Sequence, residues 1–272
     1  MLKSGQKVSI LTHLNELRHR VFVIVIALLI ATVVLYFFAP YLILFLIKPV
    51  AQFIAPNMPI NTTADLTHVL NVLNPLGGFS LQFKVSLLFG VVATSPIWIW
   101  QLMAFFLPAL KPREKRWVVP TFFVAVVLFV LGMVFCYLVI LRPAFQWMLG
   151  QTVLFANIMA NAPDYVNLIM LFEVAFGIAF ELPLVVFYLI VFGIVPYKKL
   201  RHSWRIVYVA LLVLSAVVTP DASPVTMFLM FFAMVALYEA SLAAARLVLS
   251  RRIKNLAARA EAEAAVDAEC AK

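Results

Sequence analysis

Apolar residues come in stretches far longer than a soluble fold uses, and polar residues fall almost wholly between them. Six runs stand out: 21–47, interrupted late by Pro40, then about 79–107, 117–141, 168–195, 206–218 and 225–249. About 20 apolar helical residues cross a hydrocarbon core of about 30 Å. The fifth run has only thirteen residues and leaves polar backbone ends within the membrane. None of the runs alternates as barrel strands do. The pattern predicts an all-α, polytopic transmembrane protein of six helices, with residues 1–250 as one domain and 251–272 as a tail. That tail, rich in Ala and Glu after Arg259, is expected as frayed helix or disorder.

Ahead of the first run, Ile10, Leu14, Leu17 and Val21 share one helical face, which predicts an amphipathic helix over 8–20. The first run is too long for the apolar core of a cleaved signal peptide and is expected to stay as an anchor. The connections 48–78 and 142–167 are long and rich in Pro, Asn and Gly, so they are expected as ordered caps. In Thr219-Pro220-Asp221-Ala222-Ser223-Pro224, Asp221 is expected to cap the sixth helix.

Composition strengthens this reading: 65% of residues are apolar and 12% charged, against about 45–50% and about 25% in soluble domains. A soluble enzyme is thereby excluded. So is a nucleic-acid module, because the charge of +9 is split into short clusters between apolar runs. Cys136 and Cys270 are too far apart in character to suggest a disulfide framework or a metal site. Of the 21 Lys and Arg residues, 18 fall at the two termini and in the second–third and fourth–fifth connections, leaving Lys48, Lys84 and Arg142 on the other side. That bias predicts both termini in the cytoplasm.

Candidate chemistry is confined to a few acids. Glu16 has two readings: a partner for Arg20 within an interfacial helix, or a carboxylate offered to a ligand cation. Arg18 is about 200° round the helix from Glu16, so those two do not pair. Glu114 sits in the basic segment Lys111-Pro112-Arg113-Glu114-Lys115-Arg116, where a local ion pair is the plain alternative. Glu181 lies deep in the fourth run between Gly177 and Pro183, which predict an irregular helix there. Glu239 shares a face with Arg246 and is expected to pair with it. Asp65, Asp164, Glu173 and Asp221 are placed at or beyond the outer face.

The segment His13-Leu14-Asn15-Glu16-Leu17-Arg18-His19-Arg20 resembles the His-Leu-x-Glu-Leu-Arg-x-Arg signature of TatC, the receptor subunit of twin-arginine protein translocation. Phe105-Phe106-Leu107-Pro108-Ala109-Leu110 with Glu114-Lys115-Arg116 is similar to the family's first cytoplasmic loop. Phe176-Gly177-Ile178-Ala179-Phe180-Glu181-Leu182-Pro183 is similar to its fourth-helix motif, and Thr219-Pro220-Asp221 to its last outer turn. The chain departs from the family in having one proline before Asp221, where two are frequent. It also has Pro224-Val225-Thr226 where many members place a Gln.

The resemblance implies a non-enzymatic receptor and scaffold in a bacterial cytoplasmic membrane, without cofactor or metal, for export driven by the proton gradient. It implies that Glu16 and Glu114 receive the arginine pair of a signal peptide, with Phe105, Gln101 and Arg18 in the same site. Glu181, Thr219 and Asp221 would meet partner helices, and Pro49 would shape an outer loop. The implied partners are twin-arginine signal peptides, single-span subunits of the TatA/TatB type, membrane lipids and further copies of the chain, but not nucleic acid. The rival reading is a small-solute transporter or channel using Glu181. An intramembrane enzyme is disfavoured for want of a catalytic pair.

Overall fold

The computed structural model describes residues 10–54, 61–69, 71–106, 118–153, 161–191, 197–219 and 223–270. Among them the only β feature is an isolated bridge, and the secondary structure is otherwise helical.

Helix α1 (Ile10–Tyr36) joins the expected amphipathic segment and the first span in one uninterrupted helix. It stops at Phe37–Phe38 because Pro40, near the start of α2 (Ala39–Ile47), cannot donate to the preceding turn and its ring crowds that turn's carbonyl. The run 21–47 is therefore not one span. α2, a 3-10 turn (Lys48–Val50) and α3 (Ala51–Ile54) form a cap instead. Pro49 is buried in that turn, which packs against α8 (Leu141–Val153). α4 (Thr63–Val69) opens with a capping box: Asp65 Oδ2 accepts from Thr62 N–H at 2.7 Å, and Thr62 Oγ1 from Asp65 N–H at 3.4 Å. The two outer connections meet where Ala162 N–H donates to Asn71 O at 2.9 Å.

Two more prolines break spans in the same way. α5 (Gly77–Ala93) and α6 (Ser95–Phe106) are bent by 59° at Thr94, two residues before Pro96. Thr94 Oγ1 donates to Gly90 O at 2.7 Å and Trp98 Nε1 to Val91 O at 3.0 Å, so carbonyls at the bend keep donors. α9 (Ala162–Ala179) and α10 (Leu182–Val191) part at Phe180–Glu181, before Pro183. α7 (Val118–Phe135) instead continues through a π turn (Cys136–Ile140) into α8. The helix thus runs past the expected end at Leu141, because the widened turn accommodates Pro143.

After α11 (Tyr197–His202) comes α12 (Trp204–Val218), whose 15 residues reach about 22 Å. α13 (Pro224–Cys270) is a single helix of 47 residues that carries the tail. Its N-cap is Ser223, whose Oγ accepts from Val225 N–H at 3.2 Å, and Pro224 occupies the first helical position. Asp221, the expected cap, lies outside the described residues.

Four stretches are long and apolar enough to cross a membrane: Asn15–Tyr36, Val119–Gln151, Ala162–Ile190 and Pro224–Leu247. The bent pair Gly77–Ala93 and Ser95–Phe105 makes a fifth, while Trp204–Val218 is shorter. The protein is a multi-pass α-helical membrane protein. α9 is its centre, packed on α5 and α7, with Ile169, Phe172 and Phe176 fully buried. α7 and α9 cross at glycines. A Cβ on Gly132 would lie 2.6 Å from Phe176 O, and one on Gly177 2.9 Å from the Phe129 ring. Close approach of this kind is how helices gain dispersion contacts where lipid removes the hydrophobic drive.

Candidate functional site

At one end of the bundle the N-terminal turns of α1 lie along the last turns of α6. Arg20 Nη1 donates to Gln101 Oε1 at 3.5 Å, tying the two helices together. α1 runs antiparallel to the α5–α6 stretch, with the Tyr36 ring 6.2 Å from that of Phe79 at one end and Arg20 bonded to Gln101 at the other, so one turn back from Arg20 and one turn on from Gln101 lead the same way. Glu16 and Phe105, both half-buried, therefore stand at the same end, and Arg18, exposed, is at that end on another side of α1. α1 and α6 thus bring four of the five predicted binding residues to one end of the molecule. The fifth, Glu114, lies outside the described residues.

Behind this end, α1, α5, α6, α7 and α9 wall an apolar trough of about 330 Å³, whose lining includes Ile24, Leu28, Trp98, Phe129 and Ile178. It shares Leu88, Val92 and Met133 with a second pocket of about 150 Å³, closed in part by Phe45 and Tyr137. Glu173 lines that second pocket. It is 3% exposed, and its Oε1 has no hydrogen-bond partner. This corrects its placement at the outer face. The helix begins at Ala162 rather than near Leu168, which puts Glu173 about 16 Å along it. The clue was present in the sequence: an acid between Phe172 and Val174 in a stretch with no other charge before Glu181.

Glu181 stands in the break between α9 and α10, half-buried. Its N–H donates to Ile178 O at 3.0 Å, and its Oε1 is enclosed without a partner. Unpaired buried carboxyl oxygens are costly, so Glu173 in the second pocket and Glu181 in the α9–α10 break each carry unmet hydrogen-bonding capacity. Thr219 is buried, but its hydroxyl donates to Ser215 O at 2.9 Å within its own helix.

Glu239 pairs with Arg201, not Arg246: the Oε2–Nη1 distance is 2.9 Å, and Tyr208 Oη donates to Oε1 at 2.8 Å. Arg246 is two turns away, about 10 Å along α13, whereas α11 delivers Arg201 directly. Among the described residues no group of three or more His, Cys, Asp or Glu side chains is arranged to hold a metal ion.

Comparison with known proteins agrees with this geometry. The family model of the Sec-independent protein translocase protein TatC matches residues 12–232. The TatC protein of Aquifex aeolicus is 32% identical over 232 residues, covering 85% of this chain and 91% of its own length. That of Koribacter versatilis is 30% identical over 261 residues, covering 94% and 91%. A crystal structure titled as the twin arginine translocase receptor TatC superposes with a TM-score of 0.69 at 31% identity, over 86% of this chain and 99% of that one. An α1–α6 junction carrying the Glu16–Arg20 segment, a proline-broken α9–α10 with its enclosed glutamate, and likeness along most of the chain converge: this protein belongs to the TatC family of Sec-independent protein translocases.

Proposed function

We propose that the chain is the receptor subunit of a twin-arginine translocase, and that the α1–α6 end binds the paired arginines of a signal peptide. The observation that carries this is the Arg20–Gln101 hydrogen bond between α1 and α6, which sets Glu16 and Phe105 toward the same end. Two adjacent guanidinium groups are each best matched by a carboxylate through parallel hydrogen bonds. Glu16 and Glu114 are the two acids assigned to them. Arg18 shapes the rim, Gln101 orients Arg20, and Phe105 supplies an apolar wall. In this reading both termini face the cytoplasm and Trp204–Val218 crosses as a short sixth span, with residues 1–250 forming one domain.

Binding of a fluorescent twin-arginine peptide to the purified, folded protein tests the site. Each of Glu16→Ala and Glu114→Ala is expected to weaken binding about ten- to a hundredfold, the worth of one charge-assisted bond. Glu→Gln should be nearly as harmful, and the double variant less than additive. Unchanged affinity in both single variants would remove the site.

Glu181 is assigned to partner helices of single-span TatA/TatB-type subunits or to the inserted signal peptide. Glu181→Gln should leave the protein inserted and abundant while altering its crosslinks. Loss of abundance in both Glu181→Gln and Glu181→Ala would make the residue purely structural. Thr219 and Asp221 mark the outer end of the short span, where a partner helix would cover polar backbone. Photocrosslinkers at Leu212 and Leu214 should capture such a helix, and lipid-only adducts at both positions would count against it.

A further inference from the structure

The N-terminal ends of α5 and α9 enclose a polar pocket of about 370 Å³, within the size range of small-ligand sites. Two opposite charges line it without pairing with each other. Lys84 Nζ donates to Asn167 Oδ1 at 3.2 Å, and Asp164 Oδ2 accepts from Asn161 Nδ2 at 2.7 Å. Lys84 keeps two further donors, and an ionised Asp164 keeps acceptor capacity. Asn161, on the same wall, holds an enclosed Oδ1 that has no donor. Neutral amides thus occupy the inner partners of both charges, and what remains suits a ligand bearing an anion and an N–H cation together.

The position fixes where such a ligand comes from. Two membrane-crossing stretches begin here, at Gly77 and Ala162, so the pocket lies at the bilayer–water boundary. Lys84 is about 10 Å along α5 and lies exposed, its long stem able to carry the ammonium back toward the helix start. Leu73 and Leu76 line the pocket yet are 76% and 72% exposed, and Phe79 next to them is 62% exposed. A soluble zwitterion would leave these side chains in water, whereas acyl chains would cover them.

We infer that this pocket binds the head group of a phosphatidylethanolamine-type lipid, Lys84 holding the phosphate and Asp164 holding the primary ammonium. Native mass spectrometry of the full chain, offered equal phosphatidylethanolamine, phosphatidylcholine and phosphatidylglycerol of matched chain length, tests it. The ethanolamine lipid should be retained about tenfold over the choline lipid, since trimethylation removes the N–H donors. Asp164→Asn should abolish that preference, and Lys84→Ala should lower ethanolamine-lipid retention about tenfold. Lys84→Arg should keep it, which separates lost charge from lost fold. Equal retention of ethanolamine and choline lipids, a preference for phosphatidylglycerol, or full retention in Lys84→Ala would each overturn the assignment. So would displacement of the lipid by an equal concentration of glycerophosphoethanolamine, which would make the ligand a soluble solute.

Discussion

Glu173 and Glu239 are both acids within helices, and their surroundings predict opposite responses to mutation. Glu173 is 3% exposed with an unpartnered Oε1 among Phe45, Leu88 and Met133. Replacing it by Leu removes an uncompensated polar group. Thermal unfolding in detergent should shift upward, by the equivalent of about 1–3 kcal/mol, and a downward shift would show that the carboxyl has a partner. Glu239 shares a partly exposed ion pair with Arg201, so Arg201→Ala should cost less than about 1 kcal/mol. Glu239→Ala should cost more, because Tyr208 also loses its acceptor. The sequence disclosed these acids unevenly. The break at Glu181 was legible because Gly177 and Pro183 act on their own turn of backbone. The partner of Glu239 was not, because Arg201 is 38 residues away and reaches it only through the packing of α11 on α13.

At the scale of elements, glycine and proline decide where helices touch and where they stop. Gly132 and Gly150 both lie in apolar helical segments, but only the first meets backbone at contact distance. Gly132→Ala should therefore destabilise by about 1–3 kcal/mol through overpacking against Phe176 O. Gly150→Ala, with nothing within 4 Å of the added Cβ, should gain up to about 1 kcal/mol of helix propensity. Equal thermal shifts for the two would argue against the close crossing of α7 and α9. Hydropathy located the apolar elements but not their joints. The bend at Thr94 follows from Pro96, which a count of apolar residues passes over. The run 21–47 reads as one length because α2 is as apolar as the span before it. The helix through Arg142 and Pro143 outlasts its apolar run because a π turn absorbs what proline would otherwise break.

For the whole molecule, the charge bias yields a test independent of the receptor site. Single-cysteine labelling in sealed, right-side-out vesicles should mark Asn61 from outside and leave Glu114 and Lys198 protected; the reverse pattern would invert the topology. The all-α class and the order of the apolar segments were legible because membrane insertion demands length and apolarity, which composition records directly. The side-by-side meeting of α1 with α6 was not, since it depends on a bend and on one hydrogen bond between Arg20 and Gln101. α1 packs along α5 and α6 but buries few of its own side chains. Among its described side chains Thr32 alone is buried, while Phe22, Ile30 and Val33 are 61–62% exposed. α13 is the opposite case, with Met230, Met234, Tyr238 and Leu242 all 2% exposed or less. Mechanical load should find this asymmetry. Drawn out of a bilayer by its N-terminus, the chain should yield first at low force, with α1 peeling away from α5 and α6 while the rest holds. Drawn by its C-terminus, it should resist until α10 and α12 lose their hold on α13, and then give way in one larger step.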